Sequence, residues 1–287
     1  MQKLKILLTF NFTASLLSLQ AQQYSENSKQ LVLGAGLSQL TYRDLATSPL
    51  FYSGMGFNMQ AATEITNQKW AHHVGFEALF GSCNSLTPTD MEFSAITNSS
   101  FTAIDFRYQA LRKITQISTD TQQFWAGGDA IISTHIRSNE SLGNNASGFE
   151  LLNNYQLSGK YNLNITALNN NSWIVRTVKS KSKAEQDLSF SANIGLVNLN
   201  FRPGYAYSYD AEMDGSETSG LNYRFSDYAW KINGWRLGTK LEYKQKRKSG
   251  NGFKIAYTWD AIHAPGRFEI YEMAAHNLSY SLLINLR

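Results

Sequence analysis

The chain has 287 residues, 43% hydrophobic, 13% aromatic and 17% charged, with a formal net charge of +4 at pH 7. That composition excludes disordered and collagen-like chains, the single cysteine excludes a disulfide framework, and so small a charge gives no case for a nucleic-acid partner. The length suits one all-β domain, a class that routinely runs to roughly 200–250 residues.

Residues 1–21 read as a cleaved export signal and stand apart from the fold. Lys3 and Lys5 make a basic start, Ile6 to Leu19 an apolar stretch diluted by Thr9, Asn11, Thr13, Ser15 and Ser18, and Leu19-Gln20-Ala21 a cleavage site. The stretch falls short of the ~20 apolar residues that a membrane helix needs, and no Cys follows it to carry a lipid anchor. Residues 22–287 then form a single domain, in which no run is apolar for long enough to span a bilayer as a helix. The exported domain is therefore either soluble outside the cytoplasm or crosses a membrane with strands.

In chain order, alternation of apolar with polar or small residues appears first in Leu31 to Leu37. It returns from Phe51 to Ala62, where Phe51, Met55, Phe57 and Met59 oppose Gly54, Gly56, Asn58 and Gln60. Trp70 to Phe80 follows, then Thr102 to Ala110, with Asp105, Arg107 and Gln109 opposite Ile104, Phe106 and Tyr108, then Phe124 to Ile136. Tyr155 to Thr166 is the cleanest, with Tyr155, Leu157, Tyr161, Leu163 and Ile165 against Gln156, Ser158, Lys160, Asn162 and Asn164. Leu188 to Leu196, Trp235 to Tyr243, Phe253 to Ala261 and His276 to Leu286 complete the set. A period of two marks strands, and no comparable segment keeps the i, i+3, i+4, i+7 spacing of a helix. The fold class is all-β.

A soluble β-sandwich also alternates, but its strands are typically ~5–6 residues long, and these segments match the ~10 residues of a tilted transmembrane strand. Their polar face carries charges in mid-segment, and Phe51, Trp70, Phe124, Trp125, Trp235 and Trp259 fall near segment ends, where interfacial girdles lie. The expectation is an antiparallel transmembrane β-barrel of ten strands in the outer membrane of a Gram-negative bacterium. Twelve strands result if Trp173 to Val178 and Tyr223 to Ile232 are added. With periplasmic termini, the outer loops are 43–49, 81–100, 138–152, 202–234 and 263–275, and the inner turns are 64–69, 114–121, 169–187 and 246–251.

The end of the signal, Ser18-Leu-Gln-Ala-Gln-Gln23, the glycine-containing first strand and the closing run His276 to Leu286 resemble outer-membrane β-barrel proteins of the Bacteroidota. Ser48-Pro-Leu-Phe-Tyr-Ser-Gly54 is similar to a short motif of one uncharacterised family of these barrels. The resemblance implies fold and location and carries no activity, cofactor or catalytic residue.

The inward polar positions Asp105, Arg107, Asp129, His135, Arg236, Lys240, Glu242 and Lys254 are the candidate site, a polar network paired across the lumen. Asp129, Ser133 and His135 share one strand face and suggest a nucleophile triad, but same-face neighbours lie ~6.6 Å apart per two residues, whereas triads need converging side chains. His72 and His73 point to opposite faces, so one wall cannot hold a metal with both. Asp260 with His263 offers an acid and an imidazole near the rim, and Ser53 with His276 would serve a lipid hydrolase only if their strands were neighbours. Gly34-Ala-Gly36 and Gly54-Met-Gly56 extend into no phosphate-loop pattern, and inward glycines make room or allow curvature. The basic run Lys244-Gln-Lys-Arg-Lys248 falls in an inner turn, where anionic head groups or a periplasmic partner would meet it, and Cys83, just beyond the third strand, has no partner. A barrel of about ten strands is filled by its side chains, whereas open channels belong to 16–18 strands. The leading reading is an interaction or structural barrel without a cofactor, bounded by outer-membrane lipid, contacting protein partners through loops 202–234 or 81–100. A narrow channel is the alternative and a barrel hydrolase the third reading.

Overall fold

The computed structural model describes residues 28–86, 97–168, 184–201, 229–231, 234–265 and 270–286. The expected export signal lies outside these residues, as does the additional strand considered at Trp173 to Val178.

The described chain is strand almost throughout: β1 (Ser28–Asp44), β2 (Ser48–Thr66), β3 (Trp70–Leu86), β4 (Asn98–Lys113), β5 (Gln122–Ser138), β6 (Ser147–Asn164), β7 (Glu185–Phe201), β8 (Ala229–Lys231), β9 (Trp235–Lys246), β10 (Gly252–Pro265) and β11 (Ile270–Asn285). Each strand from β1 to β7 pairs antiparallel with the next, β7 pairs with β9, β9 with β10 and β10 with β11. β11 returns to β1 with Gln30 opposite Asn285 and Asp44 opposite Tyr271, which closes the sheet on itself. Ten strands make the barrel. The short β8 pairs only with Asn198 to Asn200 of β7, so the strand considered at Tyr223 to Ile232 adds no barrel wall and the twelve-strand alternative falls.

Alternation within each strand divides the side chains into two populations. Large apolar side chains are exposed on all ten barrel strands, among them Leu37, Met55, Phe76, Phe106, Ile132, Leu157, Phe190, Leu241, Ile255 and Leu278. Inward positions bury polar groups instead, with Ser38, Asp129, Arg236, Lys254 and Ser281 all nearly inaccessible. In water, leaving one such Leu or Phe exposed forgoes about 1.5–3 kcal/mol. A belt drawn from every wall is stable only against lipid, and closure leaves no strand edge unpaired in that medium. The barrel therefore spans a membrane.

The strands outrun the alternating segments that announce them, reaching 19 residues in β2. Several connections are correspondingly shorter than expected: 45–47 between β1 and β2, and 67–69 between β2 and β3. Helical geometry enters as a short 3-10 turn at Glu140–Asn145, capped by the Asn139 side chain accepting from the Ser141 N–H at 3.1 Å. β7 carries one extra residue between Gly195 and Val197, because their partners Gln156 and Tyr155 are adjacent on β6. This bulge shifts the buried amides from odd numbers, at Asn193, to even numbers, at Asn198 and Asn200.

Two placements differ from expectation. Trp125 is buried in the barrel and is not part of a girdle: in β5 it shares parity with Asp129 and Ser133, while Phe124 takes the outer face. Cys83 lies within β3, buried among inward residues.

Candidate functional site in the lumen

We call the end bearing Ser28 and Asn285 the terminal end and the opposite one the loop end. Nearest the loop end, Leu40, Tyr42, Tyr52, Leu79, Phe101, Leu152, Ile262 and Tyr271 converge from seven strands into one buried apolar cluster. Tyr42 stacks on Tyr52 with ring centroids 5.1 Å apart, and His135 meets Phe101 and Tyr271 edge-on at 5.5 and 5.7 Å. Arg137 lies beside this layer, with its guanidinium 4.9 Å from the Tyr271 ring and 5.4 Å from that of Tyr42. It pairs with Asp44 at 2.8 Å and with Glu150. From the loop side, Asn139 Nδ2 donates to Tyr52 Oη at 3.3 Å. Among the described residues these side chains pack across the lumen in this half.

At mid-height, Arg236 extends from β9 across the barrel. Its Nη2 lies 2.7 Å from both Asp105 Oδ2 and Asp260 Oδ2, and its Nη1 donates to Ser133 Oγ at 2.7 Å. Arg107 Nε is 3.4 Å from Asp129 Oδ2. Toward the terminal end a lysine group takes over. Lys254 Nζ is 2.8 Å from Glu64 and 3.3 Å from Glu242, Lys244 is 2.7 Å from Glu64, and Lys240 is 3.1 Å from Glu242. A cavity of about 190 Å³, lined by Trp125, Lys160, Glu242 and Lys244, lies at that end. Smaller ones reach from it to Arg107, Asp105 and Arg236, and stop below the aromatic layer.

All eight sequence-selected residues therefore face the lumen, in two groups: Asp105, Arg107, Asp129 and Arg236 at mid-height, Lys240, Glu242 and Lys254 below. His135 stands apart, its Nδ1 2.9 Å from Tyr271 Oη. Parity within the alternating segments missed Asp44, Glu64, Arg137 and Glu150, although each continues the inward parity of its own strand. Extending the strands beyond the apolar stretches would have found them.

The other constellations come apart. Ser133 accepts from Arg236 and His135 meets Tyr271, so Asp129, Ser133 and His135 form no relay. Asp260 faces inward to Arg236, while His263 faces outward, 3.1 Å from Glu272 and stacked on Trp235 at 5.6 Å. Ser53 and His276 sit on β2 and β11 with β1 between them; Ser53 bonds to Thr41 at 3.0 Å and His276 to Tyr257 at 2.7 Å. His73 looks inward, 3.9 Å from Glu64, and His72 outward. In the basic run, Lys244 belongs to the wall of β9 and points inward, so the turn retains only Arg247 and Lys248. Among the described residues no group of three or more His, Cys, Asp or Glu is placed to hold a metal ion.

No protein-family model matches the sequence, and no curated protein matches it. Its fold matches the outer membrane protease OmpT of Escherichia coli with a TM-score of 0.51, over 93% of this chain and 99% of that one, at 6% identity. The chain is an outer-membrane β-barrel. The translocator domain of the autotransporter NalP from Neisseria meningitidis (TM-score 0.35, 7% identity, 96% and 95% coverage) and Neisserial surface protein A (0.34, 6%, 91% and 100%) are more distant. At such identities the likeness is one of fold, and the lipid-facing belt supplies the membrane. Barrels of this kind turn short connections to the periplasm and long ones outward. The 202–234 connection at the loop end accords with the expected outward placement of that end, which would put the lysine group toward the periplasm, although the 165–184 connection at the terminal end is also long.

Proposed function

We propose that this barrel acts at its extracellular face and not by passing solutes, and that segment 202–234 or segment 81–100 contacts a protein partner or ligand. The observation that carries this reading is the aromatic layer of Tyr42, Tyr52, Phe101 and Tyr271, which packs across the lumen toward the loop end. Segment 202–234 contains Tyr205, Tyr207, Tyr209, Tyr223, Tyr228 and Trp230, residue types enriched in recognition surfaces. Ser48-Pro-Leu-Phe-Tyr-Ser-Gly54 supports reading the chain as one of the Bacteroidota barrels. OmpT is a protease, but with Ser133, His135, Asp260 and His263 each engaged elsewhere, nothing favours carrying hydrolysis over.

The test replaces residues 205–228 with a flexible linker and compares both proteins after extraction in mild detergent. A partner that copurifies with the parent and is lost from the variant, while both still shift in mobility on boiling, supports the proposal. Steady conductance of the parent in planar bilayers would overturn it in favour of a narrow channel.

A further inference from the structure

We propose that the outward face of β3 and β4 at the periplasmic rim is a binding site for an anionic phospholipid, with Lys69 and Arg112 holding the head-group phosphate. Trp70 opens β3 and lies directly opposite Arg112 in the register, whose guanidinium is 6.0 Å from its ring. His72 stacks between Trp70, at 6.0 Å, and Tyr108, at 6.2 Å, and its Nδ1 is 3.3 Å from Tyr108 Oη. Lys69 sits in the turn just before Trp70, and the Lys113 N–H donates to the Lys69 carbonyl at 2.9 Å, which fixes the turn against β4.

Two features point to a ligand. Lys69 and Arg112 are exposed, and neither has a carboxylate within 4.0 Å among the described residues. Further along the same face Val74, Phe76 and Phe106 are exposed to lipid. The order from the rim inward is cations, aromatic shelf, then aliphatic and aromatic belt, which is the order of phosphate, glycerol ester and acyl chain in a phospholipid. Aromatic rings at this depth are at home between head groups and chains. A zwitterionic head group brings its own ammonium to the phosphate, so two cations with no carboxylate partner among the described residues select a lipid with net negative charge. The extracellular rim is different: outward-facing Arg43 is 2.7 Å from Glu272, which also meets His263, so charge there is satisfied within the protein.

The experiment places the full barrel in phosphatidylcholine vesicles and measures relative binding of spin-labelled phosphatidylglycerol and phosphatidylcholine by quenching of the Trp70 contribution, defined with Trp70→Phe. The parent should prefer phosphatidylglycerol by roughly thirtyfold, as two cations near an anionic head group imply. The preference should vanish in K69Q/R112Q and persist in K29Q/R247Q, which removes two exposed cations elsewhere on that rim. Should K69Q/R112Q lose its heat-dependent gel shift, Lys69→Gln alone, in an exposed turn, must still lower the preference severalfold. Equal binding of the two lipids by the parent, an equal loss in both double variants, or displacement of the lipid by millimolar inorganic phosphate would overturn the assignment.

Discussion

The lumenal charges are an energetic liability made tolerable by their partners. Moving an ion out of water costs several kcal/mol even after relaxation, and the pair recovers it only with good geometry and satisfied oxygens. Arg236 meets the geometric part of that condition, since its Nε lies 3.1 Å from both oxygens of Asp260 while its Nη atoms reach Asp105 and Ser133, and Asp105 Oδ1 is the oxygen left without a hydrogen-bond partner among the described residues. Arg236→Met should therefore cost about 3–5 kcal/mol, the range for orphaning buried charges. It should lower the urea midpoint for loss of the fast-migrating folded band. Adding Asp105→Asn and Asp260→Asn should restore much of the loss, because it removes the stranded charges; no recovery would mean that Arg236 contributes by packing. That Asp105 and Arg236 face inward is legible in the sequence, since parity alone assigns the face. That they meet is not, because β4 and β9 are distant in the ring and the contact depends on the tilt and stagger of the closed sheet.

At the scale of the strand, alternation is readable only where the two faces meet different solvents. All ten alternating segments fall on barrel strands, with Ile165, Thr166 and Leu286 running past strand ends, yet β3 continues past Phe80 through Ser82 and Asn84, and β4 begins at Asn98 and Ser100. These outward positions are polar and exposed: Asn98 Nδ2 donates to Ser82 Oγ and to Asn84 Oδ1, both at 3.1 Å. Beyond the bilayer both faces are wet, the period-two signal fades, and the inward acids and bases of those ends, such as Arg137 and Glu150, go unread. The bulge of β7 hides Asn198 and Asn200 by reversing parity. Glycine meaning is also set by neighbours. A Cβ on Gly54 would come within 1.9 Å of the Ser82 carbonyl, whereas one on Gly159 meets nothing within 4 Å. Gly54→Ala must push β3 away and should destabilise the barrel by about 1–3 kcal/mol, as overpacking does. Gly159→Ala should stay within about 0.5 kcal/mol, as surface changes usually do. Equal midpoints for the two in urea titrations followed by the gel shift would contradict this close approach of β2 and β3.

For the molecule as a whole, the charges of the connecting segments are polarised. In sequence, the segments that join strands at the terminal end contain Lys69, Arg176, Lys179, Lys181, Lys183, Arg247 and Lys248 against Asp120, while 202–234, which joins β7 to β9, contains Asp210, Glu212, Asp214, Glu217 and Asp227 against Arg202, Arg224 and Lys231. Between the two ends the lumen divides at the aromatic layer: cavities reach Arg236 from below and stop under Tyr271 and Phe101. If that layer is what bars ions, the parent should show no steady conductance in planar bilayers. Phe101→Ala and Tyr271→Ala, each removing a ring from the layer, should then admit current singly and more so together. Truncating a buried Phe costs about 3–5 kcal/mol, so each variant must first show the heat-dependent gel shift of a closed barrel. Folded variants that remain silent would move the barrier to the Arg236 cluster below, where Arg236→Met in place of the ring truncations should then open the path.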